Sequence, residues 1–174
     1  MEKFRELADN HNLWIIEDAC HAPGGYFKDS KGKKQMCGNG SYADCGVFSF
    51  HPVKHIACGE GGMVTTNSEE KYLKLLELRS HGINKKNMIQ NHGGWYYEMH
   101  TLGYNYRLTD LQSALGITQL KKNPNGVLRR NQIANIYKDA FLGKISFQSI
   151  QDFQFNAYHL FIVELDRRKE LYDF

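Results

Sequence analysis

Phe48-Ser49-Phe50-His51-Pro52-Val53-Lys54-His55-Ile56-Ala57-Cys58-Gly59-Glu60-Gly61-Gly62-Met63 is the stretch on which the fold turns. Val47, Phe48 and Phe50 read as the end of one strand, and Met63-Val64-Thr65-Thr66 as the next. Between them Pro52 has no N–H to donate and fixes its own φ, so residues 51–54 leave the ladder. Lys54 therefore falls on a bend between two apolar strands. A lysine walled in by low-dielectric surroundings is more easily a free amine, the form in which it acts as a nucleophile. The plainer reading is a solvated surface lysine, and only the context separates the two.

Upstream, residues 2–11 carry Phe4, Leu7 and Ala8 at helical spacing among charges. Leu13-Trp14-Ile15-Ile16-Glu17-Asp18 follows as a continuous apolar run ending in acids, the pattern of a parallel strand covered on both faces. Helix and buried strand make half of an α/β crossover unit. In open α/β sheets ligands gather beyond the carboxyl ends of strands, where Asp18 falls; a turn or cap role is the alternative. Small residues in Ala19-Cys20-His21-Ala22 let another group approach the backbone there. Residues 26–40 read as a polar hairpin turning at Asp29 to Gly32, and residues 41–50 return to the sheet.

Downstream, Asn67-Ser68-Glu69-Glu70 opens a helix with a capping side chain and two acids in its first turn. Tyr72, Leu75, Leu76 and Arg79 share a face, and Gly82 is its stop. Residues 84–100 form a long irregular loop, with Gly93-Gly94 before Trp95-Tyr96-Tyr97, and so long a loop is functional or an interface. Thr109-Asp110-Leu111-Gln112 is a capping box, after which Leu111, Ala114, Leu115 and Thr118 form the buried side of a helix. Asn123-Pro124-Asn125-Gly126 interrupts that pattern, dividing residues 1–122 from 123–174. Residues 128–141 read as a further helix and 157–165 as a strand, and the last residues begin a helix. A chain that opens within a helix and closes just after a strand reads as an internal piece of a longer one.

Composition narrows the function classes. Over 174 residues, 41% hydrophobic and 24% charged content argues against disorder, and a net charge of +3 spread along the chain argues against nucleic acid as a partner. No apolar run approaches a membrane span, and the start lacks a signal-peptide core, so the expected location is cytoplasmic. Cys20, Cys37, Cys45 and Cys58 have no C-x-x-C spacing and read as reduced thiols. A zinc site of Cys37, Cys45, Cys58 and one of His21, His51 or His55 matches no known module, so no metal is expected.

Five segments together resemble the DegT/DnrJ/EryC1/StrS family of sugar aminotransferases dependent on pyridoxal phosphate. They are residues 16–22, Phe48 to Lys54, Gly59 to Val64, Arg79-Ser80-His81-Gly82, and Leu102-Gly103-Tyr104-Asn105-Tyr106-Arg107-Leu108-Thr109-Asp110. They occur in family order and cover most of residues 1–122. The resemblance implies an α/β chain: part of the large domain of a type I, aspartate aminotransferase-like transferase over residues 1–122, with the start of a small α+β domain over 123–174. It implies that Lys54 holds the cofactor as a Schiff base and shuttles the substrate proton. Asp18 would pair with the pyridine nitrogen, His21 would lie beside the phenolic oxygen, and Ser49 would donate to the phosphate. Asn105 would reach the phosphate of a neighbouring subunit, implying a homodimer with a shared site. Arg107 would touch substrate phosphates, or else form an ion pair at the helix entry.

The words His51-Pro52-Val53-Lys54-His55-Ile56 and Gly94 to Met99 resemble the branch that works in pseudaminic acid biosynthesis. That branch implies transfer of the amino group of L-glutamate to C4 of a UDP-linked 4-keto-6-deoxy amino sugar, on the way to cell-surface glycans. Family members carry a long segment before the matched region and more small domain after it. The alternatives are therefore an inactive truncated remnant or another nucleotide-sugar aminotransferase. A related sugar dehydratase has histidine in place of the Schiff-base lysine, and Lys54 argues against it.

Overall fold

The computed structural model describes residues 1–85, 88–89 and 92–174; four residues of the expected 84–100 loop (86, 87, 90 and 91) lie outside the described residues. Helix α1 (Glu2–Asn10) leads into strand β1 (Ile16–Asp18), which pairs in parallel with β4 (Cys45–Ser49). Strand β5 (Gly62–Thr65) runs antiparallel on the other side of β4, giving the order β1-β4-β5. The parallel pairing is what the apolar run implied. Its covered faces are not found: Leu13, Trp14 and Ile16 are 54%, 71% and 65% exposed, and the strand is shorter than expected. A run of apolar residues records that a face is to be covered, but what covers it need not lie within the same 174 residues.

Asp44 ties this sheet to the helices that flank it. Its carboxylate accepts from the Ile15 N–H (3.0 Å) and from Arg5 (3.0 Å), and it pairs with Lys71 of the second helix at 3.2 Å. The Ile15 N–H, with Arg5 and Lys71, holds the Asp44 carboxyl well below the usual carboxylate range, at about 2. A depressed carboxylate contributes stability that is present above its ordinary value of 3.8 and is lost as pH falls through about 2. Asp44→Asn is expected to cost roughly 1–3 kcal/mol at neutral pH. Equilibrium denaturation checks the cost, and an acid titration followed by circular dichroism should show a weaker pH dependence over that window in the variant.

Strands β2 (Tyr26–Lys28) and β3 (Lys34–Met36) form the expected hairpin, and β7 (Gln154–Phe155) adds to the other edge of β2. Asp29 organises the turn by accepting from the Lys31 and Lys33 amides, the Gln35 side chain and the Tyr42 hydroxyl. Helix α2 (Glu69–Arg79) starts at Ser68, whose hydroxyl accepts from the Lys71 N–H at 3.3 Å. It ends where His81 and Gly82 take φ of +62° and +69°, as the glycine stop required.

Helix α3 (Asp110–Phe141) starts with the full Thr109–Gln112 capping box. It then runs for 32 residues with Pro124 inside it, so Asn123 to Gly126 does not interrupt the helix as the sequence suggested. Proline in a helix interior removes one hydrogen bond, and tertiary contacts offset that loss here. Asn123 is buried and donates to the Pro23 carbonyl at 3.2 Å, while buried Val127 packs against Gly24. The inner stripe of α3 is Gly116, Asn123, Val127 and Ala134, and Gly116 lies against Cys58. The face expected to be buried points outward instead: Leu111 is 86% and Leu115 45% exposed, and Ala114 and Thr118 are exposed as well.

Beyond α3, only β8 (Val163–Glu164) of the expected strand 157–165 is regular; it pairs with β6 (Ser146–Phe147), and α4 (Arg168–Asp173) follows. The local core holds the base of the Lys54 bend, with Phe50, Ile56 and Cys58 buried against Phe48 and Leu108. Among the described residues no helix is long and apolar enough to cross a membrane.

Candidate active site

Because β1 and β4 are parallel, their carboxyl ends, Asp18 and Ser49, fall on the same edge of the sheet. The bend after Ser49 is closed at its base: the Phe50 N–H donates to Gly61 at 2.8 Å and the Cys58 N–H to Phe50 at 3.0 Å. Within it the Ser49 hydroxyl accepts from the His51 N–H at 3.3 Å, and the Lys54 N–H donates to the His51 carbonyl at 2.9 Å. These bonds fix where Lys54 leaves the backbone. The lysine is half-buried, less enclosed than the apolar flanks suggested.

The end of β1 meets it from the other side. His21 Nε2 lies 2.5 Å from Lys54 Nζ. Asp18 accepts from the Cys20 N–H at 3.0 Å. The Cys20 thiol and amide, followed by the electrostatic influence of His21 and Lys54, hold the Asp18 carboxyl below its usual value. Lys54, His21 and Asp18 therefore act on one another across the sheet edge. A carboxylate kept ionised beside an amine and an imidazole can hold a cation or a protonated ring nitrogen while the amine handles a proton.

Ser49 shares this edge, one strand from Asp18, with its hydroxyl turned into the bend. Asn105 and Arg107 are carried elsewhere: Asn105 bridges Ser80 at the end of α2, and both residues are exposed. Among the described residues no hydrogen bond links their side chains to Lys54, His21 or Asp18. His51 is exposed near Glu60, whereas His55 is fixed by a 3.0 Å contact of Nε2 with the Ala157 carbonyl.

His159 was not among the residues the sequence singled out. Its ring lies with its centroid 4.2 Å from that of His21 and 5.4 Å from that of His55. No motif in residues 157–165 marks it, and their reading as a regular strand gave no reason to bend the chain back over Lys54. Tyr158, with φ of +50°, is where that bend occurs.

Comparison with known proteins bears on this arrangement. The model of the DegT/DnrJ/EryC1/StrS aminotransferase family matches residues 1–173, and the chain belongs to that family, whose members are pyridoxal-phosphate-dependent aminotransferases. It is 41% identical over 168 residues to the UDP-4-amino-4,6-dideoxy-N-acetyl-beta-L-altrosamine transaminase of Campylobacter jejuni, a match that covers 95% of this chain and 41% of the relative. The structure of Helicobacter pylori PseC, an aminotransferase involved in the biosynthesis of pseudoaminic acid, superposes with a TM-score of 0.79 at 32% identity, over 96% of this chain and 42% of that one. The pyridoxal phosphate form of Spr1654 from Streptococcus pneumoniae superposes with a TM-score of 0.76 at 28% identity, over 95% of this chain and 43% of that one. The chain thus spans about two fifths of the length of the proteins it matches.

The donor set fits a pyridoxal phosphate. An amine, an imidazole and a depressed carboxylate meet at one strand edge, and a hydroxyl stands on the next strand. Lys54 would hold the aldehyde carbon, Asp18 the ring nitrogen and Ser49 a phosphate oxygen.

Proposed function

We propose that this chain forms the lysine-bearing part of an aminotransferase that moves the amino group of L-glutamate to C4 of a UDP-linked 4-keto-6-deoxy amino sugar. The observation that carries the reading is the 2.5 Å approach of Lys54 Nζ to His21 Nε2 beside the Asp18 carboxylate. When bound, pyridoxal phosphate supplies an electron sink for the α-carbon of the amino donor. Asp18 would keep a proton on the ring nitrogen, which strengthens that sink. Lys54 would hold the cofactor, and its Nζ would take the proton from the donor α-carbon as a general base and supply one to C4 of the sugar. His21 would orient the amine near the phenolic oxygen, and Ser49 would hold the phosphate.

The choice of substrate is supported by the activity of the Campylobacter jejuni relative and by the pathway in which the Helicobacter pylori protein takes part. Asn105, on an exposed segment away from Lys54, suits a role in the site of a second copy, which makes the working enzyme a homodimer. Arg107, two residues on, would meet a substrate phosphate. We assign residues 1–122 to the cofactor domain and 123–174 to the start of the small domain, with the passage between them inside α3 rather than at a loop.

Asp18→Asn tests the reading. An amide cannot hold the ring nitrogen protonated, and the loss of one aimed charge of this kind costs about 10²–10³-fold in rate. In the full-length protein kcat should fall by that factor while Lys54 still takes up the cofactor. Unchanged kcat would remove Asp18 from the role.

A further inference from the structure

We propose that His159 is a positioning residue that fixes the His21 imidazole against the Lys54 amine. It is not one of the residues that the aminotransferase reading assigned. His159 is itself held firmly. Arg130 of α3 donates to the Tyr158 and His159 carbonyls at 3.0 and 3.3 Å. Asn131, one residue on, donates to the Asn156 carbonyl at 3.0 Å, and the Asn156 side chain accepts from the Tyr158 N–H at 2.8 Å. His55 grips the Ala157 carbonyl from the Lys54 bend. Residues 156–159 are therefore strapped to two separate elements, and the His159 ring is wedged between those of His21 and His55.

The wedge is uncharged near neutral pH. Burial is the main cause, and the groups that act on the ring are all basic: His21 after β1, His55 and Lys54 on the bend, and Arg130 on α3. Together they pull His159 down to about 4. Among the described residues its buried Nδ1 has no hydrogen-bond partner, so that edge of the ring contributes shape and neutrality rather than a bond. A neutral plate tilted by 40° against the His21 ring restricts its rotation and keeps Nε2 aimed at Lys54 Nζ. His21 can then accept the proton that leaves Nζ whenever the amine attacks an electrophile. Without the plate, His21 is free to turn away.

The inference deepens the reading of Lys54 as the reactive amine and rests on it, but its test needs no cofactor, so the two fail separately. Trace labelling with acetic anhydride forms an amide on Nζ, releases acetate and gives the Nζ proton to a base. Labelling of the Lys54 peptide, measured by mass against the exposed Lys31 in the same chain, reads the amine directly. His159→Ala is expected to lower Lys54 labelling roughly tenfold, the loss of a positioned base. His159→Phe, which keeps a flat ring, should stay near wild type. In a His21→Ala background, His159→Ala should add nothing, because its effect passes through His21. If His159→Ala does not fold by circular dichroism, His159→Gln takes its place with the same expectation. Unchanged labelling, an equal loss in the His21→Ala background, or a loss in His159→Phe as large as in His159→Ala would each overturn the proposal.

Discussion

Lys54→Ala is expected to lower transamination in the full-length protein by on the order of 10⁴-fold, since it removes both the covalent anchor and the base that moves the α-proton. The fold should survive, because Lys54 is half-buried and its backbone bond to His51 does not need the side chain. Lys54→Arg should lose nearly as much. A guanidinium stays protonated and is no nucleophile. Steady-state kinetics with glutamate and a keto sugar nucleotide check both. A rate near the parental one in either variant would remove Lys54 from the chemistry.

Gly82→Ala is expected to have the largest effect on stability. Gly82 has φ of +69°, and an added Cβ would lie 1.7 Å from the Thr101 carbonyl oxygen, which is backbone and cannot turn away. Gly103 faces it just as closely: its own Cβ would come within 2.0 Å of the Gly82 nitrogen. The two segments pass glycine against glycine where the end of α2 meets residues 101–105, and His100 N–H donates to Gly82 at 2.8 Å across the same seam. Forcing them apart should cost about 3–5 kcal/mol. The comparison is Gly32→Ala, where φ is +74° but nothing lies within 4 Å of the added atom. Only the left-handed strain applies there, about 1–2 kcal/mol. Equal losses in the two variants, read by denaturant unfolding, would mean that conformation alone and not the close approach is what matters. Because the seam carries the segment that leads to Asn105 and Arg107, Gly82→Ala should also disturb any second copy that Asn105 serves.

Local chemistry was legible in the sequence. Pro52 marked the bend, Ser68 and Thr109 capped the helices they were expected to cap, and Gly82 ended α2 because only glycine fits there. Asp18 and Lys54 could be placed on one edge since a parallel strand pair puts its carboxyl ends together. What depends on distant partners was not legible. Asn-Pro-Asn-Gly is a strong turn signal, and it is overridden by the hold of Asn123 on Pro23, one hundred residues away in the chain. The apolar faces of β1 and α3 were correctly seen as apolar, but the pattern does not say whether their cover lies in the same stretch of chain. His159 escaped notice for a similar reason. Its place follows from Arg130 holding two carbonyls, and a backbone carbonyl leaves no mark in a sequence.

The central claim is that one amine, Lys54 Nζ, takes up pyridoxal phosphate beside Asp18. Incubating the full-length protein with pyridoxal phosphate, reducing it with borohydride and mapping the added mass by peptide tests this most directly. The account predicts a reduced pyridoxyl group on Lys54 at one per chain and none in Lys54→Ala. A label spread over the other lysines, or absent from Lys54, would contradict it.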